Sequence, residues 1–358
     1  MNIKKYFKLM VEKNASDMFY RAGCNVRMRI DGQVVPVNDE IVTLDEVNEA
    51  VKELTSNELR GFFEKSLDVD FGLFLPEIDH RFRISIFMQR NWPALIARNI
   101  RPQVQSFEEL GLPADILQKL AMEARGLVLL TGTMGSGKST TIASMINYIN
   151  HNCNKHVLTI EEPIEFTFKD DKSIINQREL GMDVSSYAAA LKGVTLQSPD
   201  VIFIGNIRDY ETVSAALTAA ETGVLVLSTL HTVNASKSIE RLVNFFPPHQ
   251  HQEVRTQLSS LLKGVISLRL VPCKDKPGRV AAYESMLLTP TISRLIREGK
   301  IWEITSFIED GSLFGMQSFN QSLIKLVREG KISAEDAANI SDSKDEFILA
   351  LKGIKQVY

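Results

Sequence analysis

Hydrophobic and polar positions change rhythm twice along this chain. Near the start, Ile3, Phe7, Leu9 and Met10 recur at spacings that predict a short amphipathic helix. Residues 25–30 and 34–37 read as strands on either side of Asp31-Gly32, a hairpin turn signal. Residues 44–63 carry helical apolar spacing, with Thr43 placed to cap the first turn. Alternation with a period of two returns over residues 80–100, through Phe82, Ile84, Ile86 and Met88. Together these elements predict an α+β module built on a mainly antiparallel sheet.

The rhythm breaks over residues 101–113. Pro102 and Pro113 interrupt it, and Ser106 stands three residues before Glu109 in a capping pattern. Beyond, the short apolar runs 127–131, 156–160, 201–205 and 224–230 alternate with helical stretches. Such alternation predicts parallel strands joined by crossover helices, an α/β sheet. From about residue 289 the pattern is helical only, over 292–298, 302–309, 318–329 and 334–340. The expected division is an N-terminal domain over 1–100, a linker over 101–113, a core over 114–288 and a C-terminal helical satellite over 289–358.

Composition narrows the function classes. The chain of 358 residues has 44% hydrophobic and 24% charged residues, which excludes wholesale disorder. A net charge of -3 gives no global field to attract nucleic acid, and no nucleic-acid partner is expected. Cys24, Cys153 and Cys273 lie far apart, without metal-ligand spacing, and read as small hydrophobes in a reducing compartment. No window approaches the roughly 20 apolar residues of a membrane span, and charges run through the N-terminal apolar stretch. Direct membrane insertion is therefore not expected.

The most specific motif runs through Gly132, Thr133, Met134, Gly135, Ser136, Gly137, Lys138 and Ser139, followed by Thr140. It matches G-x-x-x-x-G-K-[ST] in full, after an apolar strand and before a helix. Glycines there permit a tight loop whose backbone N–H groups converge on phosphate oxygens, and the helix presents its positive end to them. Lys138 is placed for the β- and γ-phosphates of ATP and Ser139 for Mg2+.

Hydrolysis calls for acids at neighbouring strand ends. After the run 156–160 come Glu161, Glu162 and Glu165, and a carboxylate there can polarise an attacking water. A solvated acidic loop is the competing reading. After the run 201–205, where an acid beside the metal is expected, stands Asn206. Its amide accepts a hydrogen bond but has no charge and cannot act as a base. Asp209, three residues on, sits at a helix start, where capping is its ordinary role. His231, in Thr229-Leu-His-Thr232 at another strand end, can sense the γ-phosphate, with a structural loop histidine as the competing reading.

Between positions 81 and 101 stand Arg81, Arg83, Arg90, Arg98 and Arg101, with no Asp, Glu or Lys among them. Arginine in place of lysine favours bidentate recognition of phosphate or carboxylate. Residues 1–100 hold nearly equal numbers of basic and acidic side chains, and a role across a subunit boundary is expected rather than a nucleic-acid face.

Taken as a set, several segments resemble the type IV pilus retraction ATPases (PilT and PilU), a branch of the secretion ATPase superfamily. They are Ser16-Asp17, Arg81-Phe-Arg83, the phosphate loop, Thr159-Ile-Glu-Glu-Pro-Ile-Glu-Phe166, Gln177-Arg-Glu179 and Pro199-Asp-Val-Ile202. Ala219-Ala-Glu-Thr-Gly223, Thr229-Leu-His231, and Arg241 before Phe245-Phe-Pro247 continue the set. Gly315-Met-Gln-Ser-Phe319 and Ser341-Asp342 favour the PilU-type accessory branch. The resemblance implies an N-terminal PAS-like domain linked to a RecA-like P-loop ATPase domain. It implies a homo-hexamer that is cytoplasmic and peripheral at the inner-membrane pilus machine. The implied partners are a paralogous retraction ATPase and an inner-membrane platform protein, and the implied process is pilus retraction in twitching motility. By matching positions it assigns Arg83, Arg90 and Arg98 to the ATP phosphates, Glu161 to catalysis and His231 to the family's histidine box.

Four departures stand out: Asn206 for the usual Walker B Glu, Val224 for the usual first histidine, Glu162 for an Asp, and Leu196 where Arg is common. Two readings of function therefore stay open: a hydrolysing motor subunit, and a nucleotide-binding accessory subunit with weak or no hydrolysis of its own. A DNA-translocating ring is a third, disfavoured by the balanced charge and the absence of an aromatic-basic stripe.

Overall fold

The computed structural model describes residues 3–30, 32–100 and 104–353. Asp31 of the expected turn, and Arg101 and Pro102 of the expected linker, lie outside the described residues. The chain divides into two compact units. One comprises Met1–Gln103 together with Glu162–Phe168 and Glu179–Asp183; the other comprises Val104–Glu161, Lys169–Arg178 and Val184–Tyr358.

The N-terminal unit begins with α1 (Lys4–Glu12), which buries Tyr6, Phe7 and Met10. Strands β1 (Asp17–Arg21), β2 (Asn25–Ile30) and β3 (Gln33–Ile41) follow, then helices α2 (Leu44–Leu54) and α3 (Asn57–Ser66). Strands β4 (Asp68–Leu75), β5 (His80–Gln89) and β6 (Trp92–Ile100) complete a six-stranded sheet of order β3-β2-β1-β6-β5-β4. Among the described residues every strand pairing in it is antiparallel. Alternation does its expected work in β5: His80, Phe82, Ile84 and Ile86 are buried, while Arg81, Arg83 and Ser85 take the other face. Phe7, Met18, Met28, Phe82 and Ile84 meet in one apolar core.

The single helical stretch expected over 44–63 is two helices. Thr55 has extended backbone and its hydroxyl donates to the Val51 carbonyl, while Ser56 caps α3 by accepting from the Leu59 amide. Hydroxyl side chains compete for backbone groups inside a helix and serve better at its ends. Thr43 caps α2 as expected, in a full capping box with Glu46.

The second unit opens with α4 (Ala114–Ala121), β7 (Gly126–Thr131), α5 (Lys138–Asn152), β8 (His156–Glu161) and β9 (Ile174–Glu179), whose last residue groups with the N-terminal unit. It continues through α6 (Tyr187–Lys192), β10 (Val201–Ile204), α7 (Tyr210–Glu221), β11 (Leu225–Leu230), α8 (Ala235–Asn244) and α9 (His251–Leu261). The hairpin β12 (Leu262–Pro272) and β13 (Arg279–Leu287) precedes α10 (Pro290–Glu298), α11 (Ile304–Glu309), α12 (Phe319–Arg328), α13 (Ala334–Ile340) and α14 (Lys344–Leu351). The sheet order is β13-β12-β7-β11-β10-β8-β9.

Strands β12, β7, β11, β10 and β8 run parallel, and β13 joins antiparallel to β12. All residues of β7, β10 and β11 are buried, as expected of strands covered on both faces. The C-terminal helices form the expected satellite. Leu323, Leu326, Ala337 and Phe347 pack on Val271 and Ala282 of the β12–β13 hairpin. Among the described residues no helix is long and apolar enough to cross a membrane.

Candidate functional site

Parallel strands deliver their C-terminal ends to one edge of a sheet, the usual place for a nucleotide in this architecture. In the second unit, four adjacent strands carry four of the expected positions there. Thr131 of β7 leads into the phosphate loop, Leu230 of β11 into His231, Ile204 of β10 into Gly205-Asn206, and β8 ends on Glu161. The register aligns these ends: Thr131 pairs with Leu230, and Ile204 pairs with Ser228 and Ile160.

Gly132 has φ 143°, and a Cβ there would stand 2.5 Å from both the Leu268 carbonyl oxygen and the Ser136 hydroxyl. No other residue fits that position without moving the loop. The chain then enters α5 at Lys138, so the first turn of the helix faces the loop. Ser139 and Thr140 are half-buried on that turn. Lys138 is buried, and its ammonium donates to the carbonyls of Gly132 and Thr133, both at 2.8 Å.

Lys138 Nζ also stands 3.4 Å from His231 Nδ1. Burial holds the His231 pKa below its ordinary value, and the positive charges of Lys138 and Arg208 push it the same way. An ammonium has only donors, so the contact requires Nδ1 to be the unprotonated, accepting nitrogen. The imidazole is thus held neutral beside the phosphate-loop lysine.

Glu161 is 7% exposed and accepts from the Thr159 hydroxyl at 2.6 Å and from Gln177 Nε2 at 3.3 Å. Sequence reasoning missed both donors. Thr159 was legible in principle, because residues two apart on β8 share a face. Gln177 comes from β9, an element the apolar pattern did not show, and had no local signal. Asn206 is also 7% exposed, and its Oδ1 has no hydrogen-bond partner among the described residues. The Ser136 hydroxyl is likewise buried and without one. Buried polar atoms are seldom left so. Beside a loop of backbone donors, they fit a polyphosphate with its hydrated cation. Asp209 takes its ordinary role, accepting from the Thr212 amide at 2.8 Å as the cap of α7.

The arginines belong to the N-terminal unit, and most meet carboxylates within it. Arg81 pairs with the buried Glu179, which also accepts from the amides of Gly72 at 2.6 Å and Ile164 at 3.1 Å. Arg83 pairs with Asp70 at 2.9 Å, and Arg98 with Asp17 at 3.0 Å. Arg90 is exposed in the β5–β6 turn with φ 49°.

Comparison with known proteins adds a second line of argument. A family model described as type II/IV secretion system protein matches residues 1–338. The type IV pilus ATPase PilU of Pseudomonas aeruginosa is 40% identical, the match covering 98% of this chain and 92% of that protein. The type IV pilus retraction ATPase PilT of the same organism is 39% identical over 97% of this chain and 100% of its own length. A crystal structure of the pilus retraction motor PilT with bound ADP superposes with a TM-score of 0.89 at 42% identity, covering 97% of this chain and 98% of that one.

Proposed function

The chain belongs to the type II/IV secretion system protein family, among the type IV pilus retraction ATPases of PilT and PilU type, and from that premise we propose that it binds and hydrolyses ATP to drive pilus retraction and twitching motility. The observation that carries this reading is the contact of Lys138 with His231 beside a complete phosphate loop, with Glu161 ending β8 on the same parallel sheet.

In this reading the loop amides and the first turn of α5 hold the β- and γ-phosphates, and Lys138 places its charge against them. The Ser139 hydroxyl would hold Mg2+, which when bound would neutralise phosphate charge. Glu161, steadied by Thr159 and Gln177, orients the attacking water and takes its proton. Neutral His231, next to Lys138, registers whether the γ-phosphate is in place. Arg83, Arg90 and Arg98 serve phosphate from across a subunit boundary, for which Arg83 and Arg98 exchange Asp70 and Asp17 for the anion. The working form is a homo-hexamer at the cytoplasmic side of the inner-membrane pilus machine, with a paralogous ATPase and a platform protein as partners. Purified protein given Mg-ATP should release phosphate, and Lys138→Ala should abolish that release. Turnover that survives Lys138→Ala, or no turnover in the unaltered chain, rejects a self-sufficient motor.

Asn206 favours a second reading, an accessory subunit that binds nucleotide and hydrolyses it slowly. An uncharged amide occupies a buried position where the family carries an acid, and Val224 stands in place of a histidine. Loss of one stabilising group at a transition state commonly costs about 10²–10³ in rate. Asn206→Glu should then raise turnover at least about tenfold; equal rates in the two proteins remove this reading.

A further inference from the structure

One buried carboxylate of the second unit has no part in the chemistry above. Glu284 lies on β13 and is 4% exposed. The register places it opposite Ser267 of β12, which in turn pairs with Thr131 of β7, so three side chains line up across three strands. The Thr131 hydroxyl donates to Ser267 Oγ at 2.9 Å, and Ser267 Oγ donates to Glu284 Oε1 at 3.3 Å. The same Oε1 accepts from the Ala235 amide at 2.7 Å. Thr131 is the last residue before the phosphate loop, and Ala235 is the first residue of α8, four positions after His231.

The intervening segment is held at each step. Asn234 caps α8 by accepting from the Lys237 amide at 2.9 Å, and its carbonyl accepts from Ser238 Oγ at 2.6 Å. Ser238 Oγ also bonds the Thr232 hydroxyl at 2.6 Å. From β12, Arg269 reaches the Val233 carbonyl at 3.4 Å and the Ile340 carbonyl at 2.7 Å, and pairs with Asp342. Arg269 and Asp342 are the charges acting on Glu284 from the elements packed around it.

We propose that Glu284 is a positioning residue of the ATPase site: by tying the first turn of α8 to the strand that feeds the phosphate loop, it fixes His231 against Lys138. The proposal rests on the reading of Lys138 and His231 as a nucleotide-responsive pair. The carboxylate itself supports it. Burying one is costly and an apolar residue would pack β13 at less expense, yet Glu284 stands where it joins two site-bearing segments.

The test reads the geometry directly. Full-length protein labelled at histidine ring carbons is titrated by NMR, with His231 assigned through His231→Asn. In Glu284→Ala the freed loop lets the imidazole leave the lysine, and the His231 midpoint rises by half a unit or more. Glu284→Gln, which keeps an acceptor for the Ala235 amide, restores the midpoint. In the same proteins kcat falls about tenfold in the alanine variant, with the KM for ATP within twofold, and recovers in the glutamine variant. An unmoved His231 midpoint in folded Glu284→Ala overturns the proposal, as does unchanged kcat. Should that variant not fold, Ala235→Pro removes the backbone donor at a first-turn position that proline tolerates, and must move the midpoint the same way or the proposal fails. Absence of Lys138-dependent hydrolysis in the unaltered chain sinks the motor reading alone, because the His231 titration does not depend on turnover.

Discussion

At the scale of single residues, Glu284 ties stability to pH. Desolvation raises its pKa from 4.5 to about 7, against the lowering effect of the Ala235 amide. The raised value means that the folded state holds this proton more tightly than the unfolded chain does. The contribution is therefore fully present below about pH 4.5 and is lost as pH rises through about 7, a swing on the order of 3 kcal/mol. Glu284→Gln has no proton to lose there. Denaturant unfolding from pH 5 to pH 8 should show wild type losing stability relative to this variant, and parallel curves would refute the assignment. The phosphate loop was legible in the sequence because its determinants, Gly132 to Ser139, are contiguous and act through local backbone. Glu284 and Gln177 were not legible: Glu284 meets Ala235 across 49 positions and Gln177 meets Glu161 across 16, and strand register creates both contacts. Three of the arginines were read for their guanidinium chemistry, but Asp70, Asp17 and Glu179 now occupy them, and no local pattern named those partners.

Elements were legible where periodicity and caps agreed. Strand β5 and helix α2 follow the expected pattern because one face of each is buried and Thr43 marks the helix start. The hairpin β12–β13 went unassigned. Most of its residues are buried on both faces, so no two-residue alternation separates it from a helical run. Asp209 offers a test of cap against catalyst. If its carboxylate only holds the Thr212 amide, Asp209→Ala should cost about 1 kcal/mol of stability and leave kcat per folded chain unchanged. A fall in kcat without loss of stability would return Asp209 to the chemistry.

For the whole molecule, the C-terminal satellite depends on few anchors. Phe347 of α14 is fully buried against the β12–β13 hairpin, and Phe347→Ala should cost about 3–5 kcal/mol. Limited proteolysis should then cut the chain within α12–α14 first, leaving the rest of the second unit intact; uniform digestion would show that the satellite does not loosen by itself. The division at Gln103–Val104 falls within the linker suggested by Pro102 and Pro113, but it is not the only crossing between the two units. Glu162–Phe168 and Glu179–Asp183 cluster with the N-terminal residues, so the backbone passes repeatedly from one unit to the other. Truncation at residue 104 would strip the Glu179 carboxylate of Arg81 and the Gly72 amide, leaving it only the Ile164 amide among these partners. A buried charge deprived of its partner commonly costs about 3–5 kcal/mol. An excised ATPase fragment would inherit that penalty at a carboxylate bonded to the Ile164 amide, three positions after Glu161, and its kinetics would describe a damaged enzyme.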